Sequence, residues 1–352
     1  MSATGAVRVL LGDMSRLARA RVVDLLNRED TMVVAGELGP DDDIVAAVRR
    51  LRPDLVLIGL GGAAGDPFET TKHLMVEAPT PLVILDDGHK SEDVQASVLA
   101  LRSGALSVLQ IPQFANGEGG AAARRRFIST LRALSEVKLV RRWRDKAAAA
   151  PPPPVPDAEP GMRAIAIAAS TGGPAALERI LTELPGRFEA PILVVQHIAL
   201  GFIEGLAQWL NSVCAMTVKI AVEGEPVRPR TVYLAPDGYH LGVSRRAAIH
   251  LSDAPPVGGF RPAADHLFDS AARAFGSDLT AVVLTGMGQD GVAGLRTVRQ
   301  RGGNVIAQDE ATCVVYGMPK AAFEAGLVDE RLPLAGIAPR LIERIGGTRP
   351  RR

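Results

Sequence analysis

The sequence is poor in cysteine, in net charge and in long apolar runs. Its 352 residues include only two cysteines, Cys214 and Cys313, with no C-x-x-C spacing and no histidine close by in the chain. This argues against a disulfide framework and a structural zinc site, and favours a reducing environment. Lysine and arginine total 40 against 39 aspartate and glutamate. No global field favours nucleic acid or a membrane surface, so we expect partner recognition to be local.

Long apolar runs are missing as well. No stretch approaches the roughly 18 apolar residues that a membrane-spanning helix needs. The apolar run within the opening segment "MSATGAVRVLLGDMSR" is too short for a signal peptide. We therefore expect a cytoplasmic protein that neither inserts into a membrane nor binds nucleic acid.

A run of alanine and proline divides the chain. The segment "DKAAAAPPPPVPDAEPG", residues 145–161, has no apolar periodicity, and its prolines favour an extended spacer. Just before it, "RRRFISTLRALSEVKLVRRWRD" is typical of a basic amphipathic helix. Since single cores rarely exceed about 250 residues, we expect two domains. The predicted boundaries are a first domain over 1–125, a helix and linker over 126–161, and a second domain over 162–345.

Apolar runs alternate with helical segments along the first domain. The runs are "VRVLLGD", "TMVVAGEL", "DLVLIGL", "PLVILDD" and "LSVLQIP". This rhythm predicts a parallel sheet with helices on both faces. The predicted fold class for the whole chain is α/β, with two doubly wound parallel-sheet domains joined by the Pro/Ala-rich linker. Ligands in such folds lie beyond the carboxyl ends of the strands.

At those strand ends the first domain resembles a response-regulator receiver domain. That family uses an acidic pair after strand one, a phosphoaccepting aspartate ending strand three, Ser or Thr ending strand four, and a lysine before a proline after strand five. The matching positions here are Gly12, Asp13, Gly59, Asp86 and Ile111. Gly59 has no carboxylate to accept a phosphoryl group, and Ile111 has no ammonium to neutralise it. The resemblance therefore implies a pseudo-receiver without a phosphoacceptor.

Other acids leave an alternative open. Asp54 and Asp66 lie near the third strand, but neither ends it in this alignment. A different register, with an acid such as Asp86 phosphorylated, is the competing interpretation.

The second domain opens with "RAIAIAASTGGPAAL", residues 163–177. An apolar strand, a Ser-Thr-Gly-Gly-Pro turn and a helix put Ser170 at the carboxyl end of the strand, facing a helix N-terminus that stabilises anions. This arrangement is typical of a nucleophile elbow, although the G-x-S-x-G spacing is absent. An ordinary turn is the simpler interpretation. A P-loop ending and a dinucleotide fingerprint are both missing.

A serine nucleophile needs a base, and the next strand supplies one. "PILVVQHI" places His197 at the carboxyl end of an apolar run, which we expect at the same sheet edge as Ser170. The remaining histidines are His73, His89, His240, His250 and His266. Among these His240, after "YLAPDGY", is the serious rival.

The third member is expected to be an acid that orients the imidazole. Asp290, in the glycine-rich loop of "TAVVLTGMGQDGVAGL", has the more constrained setting, and Asp309 in "NVIAQDEAT" is the alternative. Met287 lies in the same loop as Asp290, where its backbone N–H is a candidate oxyanion donor. A packing role for Met287 remains equally open.

Six motifs in order resemble the chemotaxis receptor methylesterase family (CheB). They are "STGGP", "QHI", "VYLAPDGYH", "RPAADHLFDSAA", "VVLTGMGQDGVAGL" and "VIAQDEATCVVYGMPKAA", spanning residues 163 to about 335. By position, the family's catalytic serine, histidine and aspartate fall on Ser170, His197 and Asp290. Thr171 and Met287 match residues that flank its site. The receiver, linker and esterase architecture matches too.

The resemblance implies a function for the whole chain. It implies hydrolysis of glutamate γ-methyl esters on cytoplasmic chemoreceptor helices, with deamidation of certain glutamines, and no metal or organic cofactor. The expected partners are methyl-accepting chemoreceptors and, through the receiver face, a histidine kinase or another protein of the chemosensory array. The alternative is a non-catalytic docking module that retains the esterase fold.

Overall fold

The structure is a computed structural model that describes residues 6–60, 67–86, 100–101, 103–112, 118–137, 162–244 and 246–346. The chain divides into two compact units, and each contains its own parallel sheet. The predicted α/β fold class with two doubly wound sheets is confirmed. The proline-rich linker at 145–161 lies outside the described residues. None of the described helices has the length and apolar character that a membrane crossing requires.

Five parallel strands form the sheet of the first unit. They are β1 (Val7–Leu11), β2 (Met32–Glu37), β3 (Leu55–Gly59), β4 (Leu82–Asp86) and β5 (Ser107–Gln110). The described helices are α1 (Arg16–Asn27), α2 (Ile44–Leu51), α3 (Pro67–Glu77) and α4 (Glu118–Ser135). The strand order β2-β1-β3-β4-β5 is one of the two common doubly wound orders. Its switch point lies between β1 and β3.

Local sequence explains where these elements begin. Ser15 caps α1 by accepting a hydrogen bond from the Ala18 amide, and Asp43 caps α2 in the same way. The central strands β3 and β4 are buried along their whole length, as expected of parallel strands covered on both faces. Helix α4 begins at Glu118, earlier than the basic segment predicted, and buries Phe127 and Leu131.

The receiver-like strand ends lie where the alignment predicted. Gly59 ends β3, Asp86 ends β4 and Ile111 follows β5. A Cβ added at Gly59 would lie 2.4 Å from the Cβ of Met14, so buried Met14 fills the space that a side chain at position 59 needs. Asp54 lies at the opposite, amino end of β3, where its carboxylate accepts a hydrogen bond from the Arg8 amide at 2.8 Å. Asp66 lies outside the described residues.

Seven parallel strands form the sheet of the second unit. They are β6 (Ala164–Ala169), β7 (Ile192–Gln196), β8 (Thr217–Ile220), β9 (Thr231–Leu234), β12 (Leu279–Val283), β13 (Asn304–Gln308) and β14 (Glu330–Leu332). A separate antiparallel pair consists of β10 (His240–Val243) and β11 (Ile249–Ser252). The helices over residues 162–346 are α5 (Gly173–Glu183), α6 (Ile203–Val213), α7 (Ala264–Phe275), α8 (Val292–Gln300), α9 (Met318–Glu324) and α10 (Leu334–Gly346).

The order of the larger sheet creates a second switch point. The strands run β14-β13-β12-β6-β7-β9-β8. From β6 the chain builds outward through β7 to one edge, then returns to lay β12 against the other side of β6. Open α/β sheets bind ligands in the crevice beyond the strand ends at such a reversal. The segments that follow β6 and β12 flank this crevice.

Candidate active site

Ser170 is the first residue after β6, at the carboxyl edge of the sheet. All six residues of β6 are buried, so the strand end has little freedom to move. The Ser170 carbonyl accepts a hydrogen bond from the Gly173 amide at 2.8 Å, and Gly172 turns the chain with a φ of 78°. Helix α5 begins at Gly173, and the N-terminus of a helix stabilises negative charge. The predicted strand–serine–turn–helix arrangement is present.

His197 is the first residue after β7, the strand next to β6. The parallel register pairs Ala169 with Gln196, so Ser170 and His197 follow paired positions on neighbouring strands. Both residues are partly buried, and the two ring nitrogens of His197 are buried. The position of each residue is as the strand pattern predicted.

The rival histidine occupies a different environment. His240 begins β10 in the small antiparallel sheet and is fully buried, with 0% of its surface exposed. Its ring is hydrogen-bonded to the Pro255 carbonyl and the Ala263 amide, both at 3.2 Å. A side chain enclosed in this way has no face for a substrate, which argues against a role as the general base.

The loop after β12 carries Met287. Leu284 donates its amide to the Ala168 carbonyl at 2.9 Å, so this loop leaves the sheet beside the end of β6. The Gly286 carbonyl accepts from the amides of Gly317 and Met318 at 3.1 and 2.8 Å. A Cβ on Gly317 would lie 2.6 Å from that carbonyl oxygen, so glycine permits the close approach. The backbone around Met287 is therefore tightly held, as an oxyanion donor requires.

Asp290 lies further along the same loop, and its carboxylate is buried. Its two oxygens accept hydrogen bonds from the amides of Ala264 at 2.7 Å and Asp265 at 3.0 Å. These are the first two amides of α7, which have no carbonyl partner within their own helix. We call this pair of N–H groups the α7 cradle. Because it binds both oxygens at a helix N-terminus, it fixes the orientation of the Asp290 carboxyl group.

A second carboxylate, that of Asp265 on α7, caps helix α8 in turn. Asp265 accepts a hydrogen bond from the Gly294 amide in the first turn of α8 at 2.8 Å. Asp290 thus caps α7 while Asp265, on α7, caps α8. Burial raises the pKa of Asp265, and the neighbouring charge of Asp290 raises it further, against hydrogen bonds from the α8 turn that lower it. Sequence reasoning missed this reciprocal cap, since no local pattern connects residues 265 and 290.

Asp309, the alternative acid, has a local structural role. It precedes a short 3-10 helix and accepts hydrogen bonds from the amide of Thr312 at 3.0 Å and from its hydroxyl at 2.6 Å. The bond from the Thr312 amide is that of an ordinary N-cap, and the bond from the hydroxyl adds to it. Of the two acids, only Asp290 lies on the loop next to the β6 strand end.

Other nucleophiles and ligands are weaker candidates. Burial raises the pKa of the Cys313 thiol to about 12 and that of Cys214 to about 11, so neither is a thiolate near neutral pH. Within the described ranges, no three His, Cys, Asp or Glu side chains are grouped in a way that would hold a metal ion.

Comparison with known proteins identifies the family. A family model described as CheB methylesterase matches residues 165–341. The protein-glutamate methylesterase/protein-glutamine glutaminase 4 of Myxococcus xanthus is 45% identical over 350 residues, covering 97% of this chain and 98% of the relative. The chain belongs to the CheB methylesterase family. Methylesterases and glutaminases are hydrolases, so the names of these relatives place the chain in a family of hydrolases.

Two further CheB relatives agree with the assignment. The methylesterase/glutaminase 3 of Anaeromyxobacter dehalogenans is 45% identical over 338 residues, covering 95% of this chain and 98% of the relative. The crystal structure of the Thermotoga maritima CheB methylesterase catalytic domain matches with 44% identity and a TM-score of 0.51. It covers 52% of this chain and 98% of that one. The resemblance derived from the six sequence motifs is confirmed.

Proposed function

We propose that this CheB family member hydrolyses the γ-methyl esters of glutamate residues on cytoplasmic chemoreceptor helices and deamidates glutamines there. The observation that carries the proposal is that Ser170, His197 and the Met287–Asp290 loop follow three neighbouring strands, β6, β7 and β12 respectively. The names of the relatives support the ester and amide substrates. A glutamate methyl ester and a glutamine amide each present a side-chain acyl carbon, so one nucleophile can attack both.

The proposed mechanism passes through an acyl-enzyme. The Ser170 hydroxyl attacks the ester carbonyl carbon while His197 accepts its proton, and the negative charge moves to the carbonyl oxygen. The bond to the methoxy group then breaks, and His197 returns the proton to the departing methanol. For a glutamine, ammonia leaves in its place. Water, deprotonated by His197, hydrolyses the acyl-serine and regenerates the free hydroxyl.

Two further groups support these steps in the proposal. Asp290, held by the α7 cradle, orients His197 and stabilises its protonated form. The Met287 amide donates to the oxyanion, a role worth about 2.7 to 4 kcal/mol per donor in comparable sites. Thr171, buried beside the serine, helps to hold the turn. No step requires a metal or an organic cofactor.

Control is proposed to be independent of phosphorylation. Gly59 at the end of β3 and Ile111 after β5 provide neither an acceptor nor a counter-charge for a phosphoryl group. We expect regulation to depend on constitutive domain packing or on a chemosensory partner, such as a histidine kinase, at the receiver-like unit.

Wild-type protein and methylated receptor provide the direct test. The substrate is a receptor cytoplasmic fragment carrying tritiated methyl esters, and the products measured are methanol and, from glutamine-containing fragments, ammonia. The proposal expects catalytic release of methanol at a rate proportional to enzyme concentration. Stable binding of the receptor fragment without release of either product would instead favour the docking-module alternative.

A further inference from the structure

His240 connects two ends of an exposed segment. Its Nε2 lies 3.2 Å from the Pro255 carbonyl oxygen, and its Nδ1 lies 3.2 Å from the Ala263 amide. Between these points the chain runs outward, and Val257 and Phe260 exchange backbone hydrogen bonds of 3.0 Å. A single imidazole therefore fixes both ends of residues 255–263.

These two contacts specify one tautomer. A backbone amide only donates, so Nδ1 must be the unprotonated acceptor. A carbonyl only accepts, so Nε2 must carry the proton. His240 therefore binds both partners only as the neutral Nε2–H form, and both ring nitrogens are fully used.

The Ala263 contact leads directly to the α7 cradle. Ala263 is the N-cap of α7 and has no side chain that can cap the helix. The next two amides, those of Ala264 and Asp265, hold the Asp290 carboxylate. Because the backbone is continuous, fixing the Ala263 amide also fixes the direction in which these two N–H groups point.

A ring stack adds a second contact with the same turn of helix. His240 stacks on His266 with 4.9 Å between ring centroids and 20° between planes. Burial lowers the pKa of His266, as do His240 and His250, while Asp269 opposes them. The first turn of α7 is thus held through its N-cap amide and through a side chain.

We propose that His240 is a positioning residue for the esterase reaction, acting through Ala263 and the α7 cradle on the Asp290 carboxylate. The inference rests on the proposed function, because it assigns His240 to the same reaction. It gives this buried histidine a role that differs from that of a general base: His240 touches no reacting atom. Misplacement of a catalytic group by about 1 Å costs on the order of 100-fold in rate.

Two substitutions separate the two hydrogen bonds. In His240→Asn, the side-chain oxygen can replace Nδ1 and accept from Ala263. In His240→Gln, the side-chain amide can replace Nε2 and donate to Pro255. The proposal expects kcat for methanol release to fall about 10- to 100-fold in His240→Gln. His240→Asn should recover most of that loss, with KM changed less than about threefold in both.

A double-mutant cycle tests the route through Asp290. If His240 acts through that carboxylate, His240→Gln should cost less than about threefold in an Asp290→Ala background, because the group being positioned is gone. His250→Gln is the control, since His250 is exposed on β11 and pairs with Glu223. Equal losses in the Asn and Gln variants, or a full loss in the Asp290→Ala background, would overturn the proposal.

One measurement on the wild-type protein remains valid even if the variants fold poorly. Nitrogen-15 NMR of the His240 ring should show a protonated Nε2 and an unprotonated Nδ1, and an Nδ1–H ring would contradict the proposal. The wild type and Ser170→Ala, assayed in parallel, distinguish the two failures. If the wild type releases no methanol, the proposed function fails. If the wild type is active and Ser170→Ala is inactive while His240→Gln keeps the wild-type kcat, only this inference fails.

Discussion

Ser170, His197 and Asp290 follow three different strands, and loss of the serine or the histidine is expected to reduce turnover more than loss of the aspartate. At the scale of single residues, His197→Ala should lose nearly all methanol release, because no other histidine directly follows a strand next to β6 in the described part of the sheet. We expect a fall on the order of 10⁴-fold or more in kcat. Steady-state methanol release, with circular dichroism to verify folding, measures it. Near-normal turnover in His197→Ala would refute the assignment of the base.

The two candidate acids can be separated by isosteric amides. Asp290→Asn should reduce kcat clearly but less than loss of the serine, by about 10² to 10⁴-fold, because orienting a base contributes less than supplying the nucleophile. Asp309→Asn should affect stability more than rate, since Asp309 binds the amide and hydroxyl of Thr312. If kcat falls further in Asp309→Asn than in Asp290→Asn, Asp309 is the acid.

The sequence could predict some of these residues and not others. Ser170 and His197 were predictable because each directly follows an apolar run, and residues after parallel strands share one sheet edge. The α7 cradle was not, since it depends on hydrogen bonds between backbone amides and a carboxylate 26 positions further along the chain. The close approach of Met14 to Gly59 could not be predicted either, because the two residues lie at the ends of different strands and are distant in the sequence.

At the scale of elements, the closeness of α7 and α8 depends on Gly294. A Cβ at this position would lie 2.5 Å from the Asp265 carbonyl oxygen and 2.8 Å from the Phe268 Cβ. Gly294→Ala should therefore reduce the free energy of unfolding by about 1–3 kcal/mol. It should also reduce kcat, because the two helices are joined through the Asp265 and Asp290 caps. Urea unfolding and methanol release measure the two effects.

A second helical glycine provides the matched control. Gly336 lies in α10, and a Cβ there would meet only Pro333 atoms and a Leu332 Cβ, at 3.5 Å or more. Gly336→Ala should raise stability by about 0.5–1 kcal/mol, because alanine loses less backbone entropy on folding. If Gly294→Ala leaves the free energy of unfolding as high as Gly336→Ala does, the packing argument is wrong.

Regular elements were more predictable than their limits. Strands β1, β3, β6 and β7 fall within the apolar runs that predicted them. Helix α4 begins at Glu118, before its basic stretch. The sequence did not predict this start, because the glycines and alanines at 119–123 carry no strong apolar periodicity. The antiparallel pair β10–β11 depends on cross-strand contacts, such as His240 opposite Ser252, that local patterns do not reveal.

At the scale of the whole molecule, we predict that the esterase activity is insensitive to phosphoryl donors. Acetyl phosphate with magnesium should neither label residues 1–125 nor stimulate methanol release. Gly59→Asp alone should not restore a switch, because its Cβ would lie 2.4 Å from that of Met14 and Ile111 supplies no ammonium. Intact-mass measurement of phosphate and parallel activity assays on the full chain and residues 162–352 test this.

The opposite result would be unambiguous. Stoichiometric phosphorylation of the wild-type first domain, together with a matching rise in methanol release, would overturn the pseudo-receiver interpretation. Labelling of Asp86 would further show that the alignment of strand four with the receiver family is wrong.

Ser170 is the proposed nucleophile of an acyl-enzyme mechanism. The direct measurement is the rate of methanol release from methylated receptor by Ser170→Ala and by the wild type, after urea unfolding has shown that the two proteins are equally stable. We predict a fall on the order of 10⁴-fold or more, because alanine can neither attack the ester nor carry the acyl group. Methanol release by Ser170→Ala within about tenfold of the wild-type rate would contradict it.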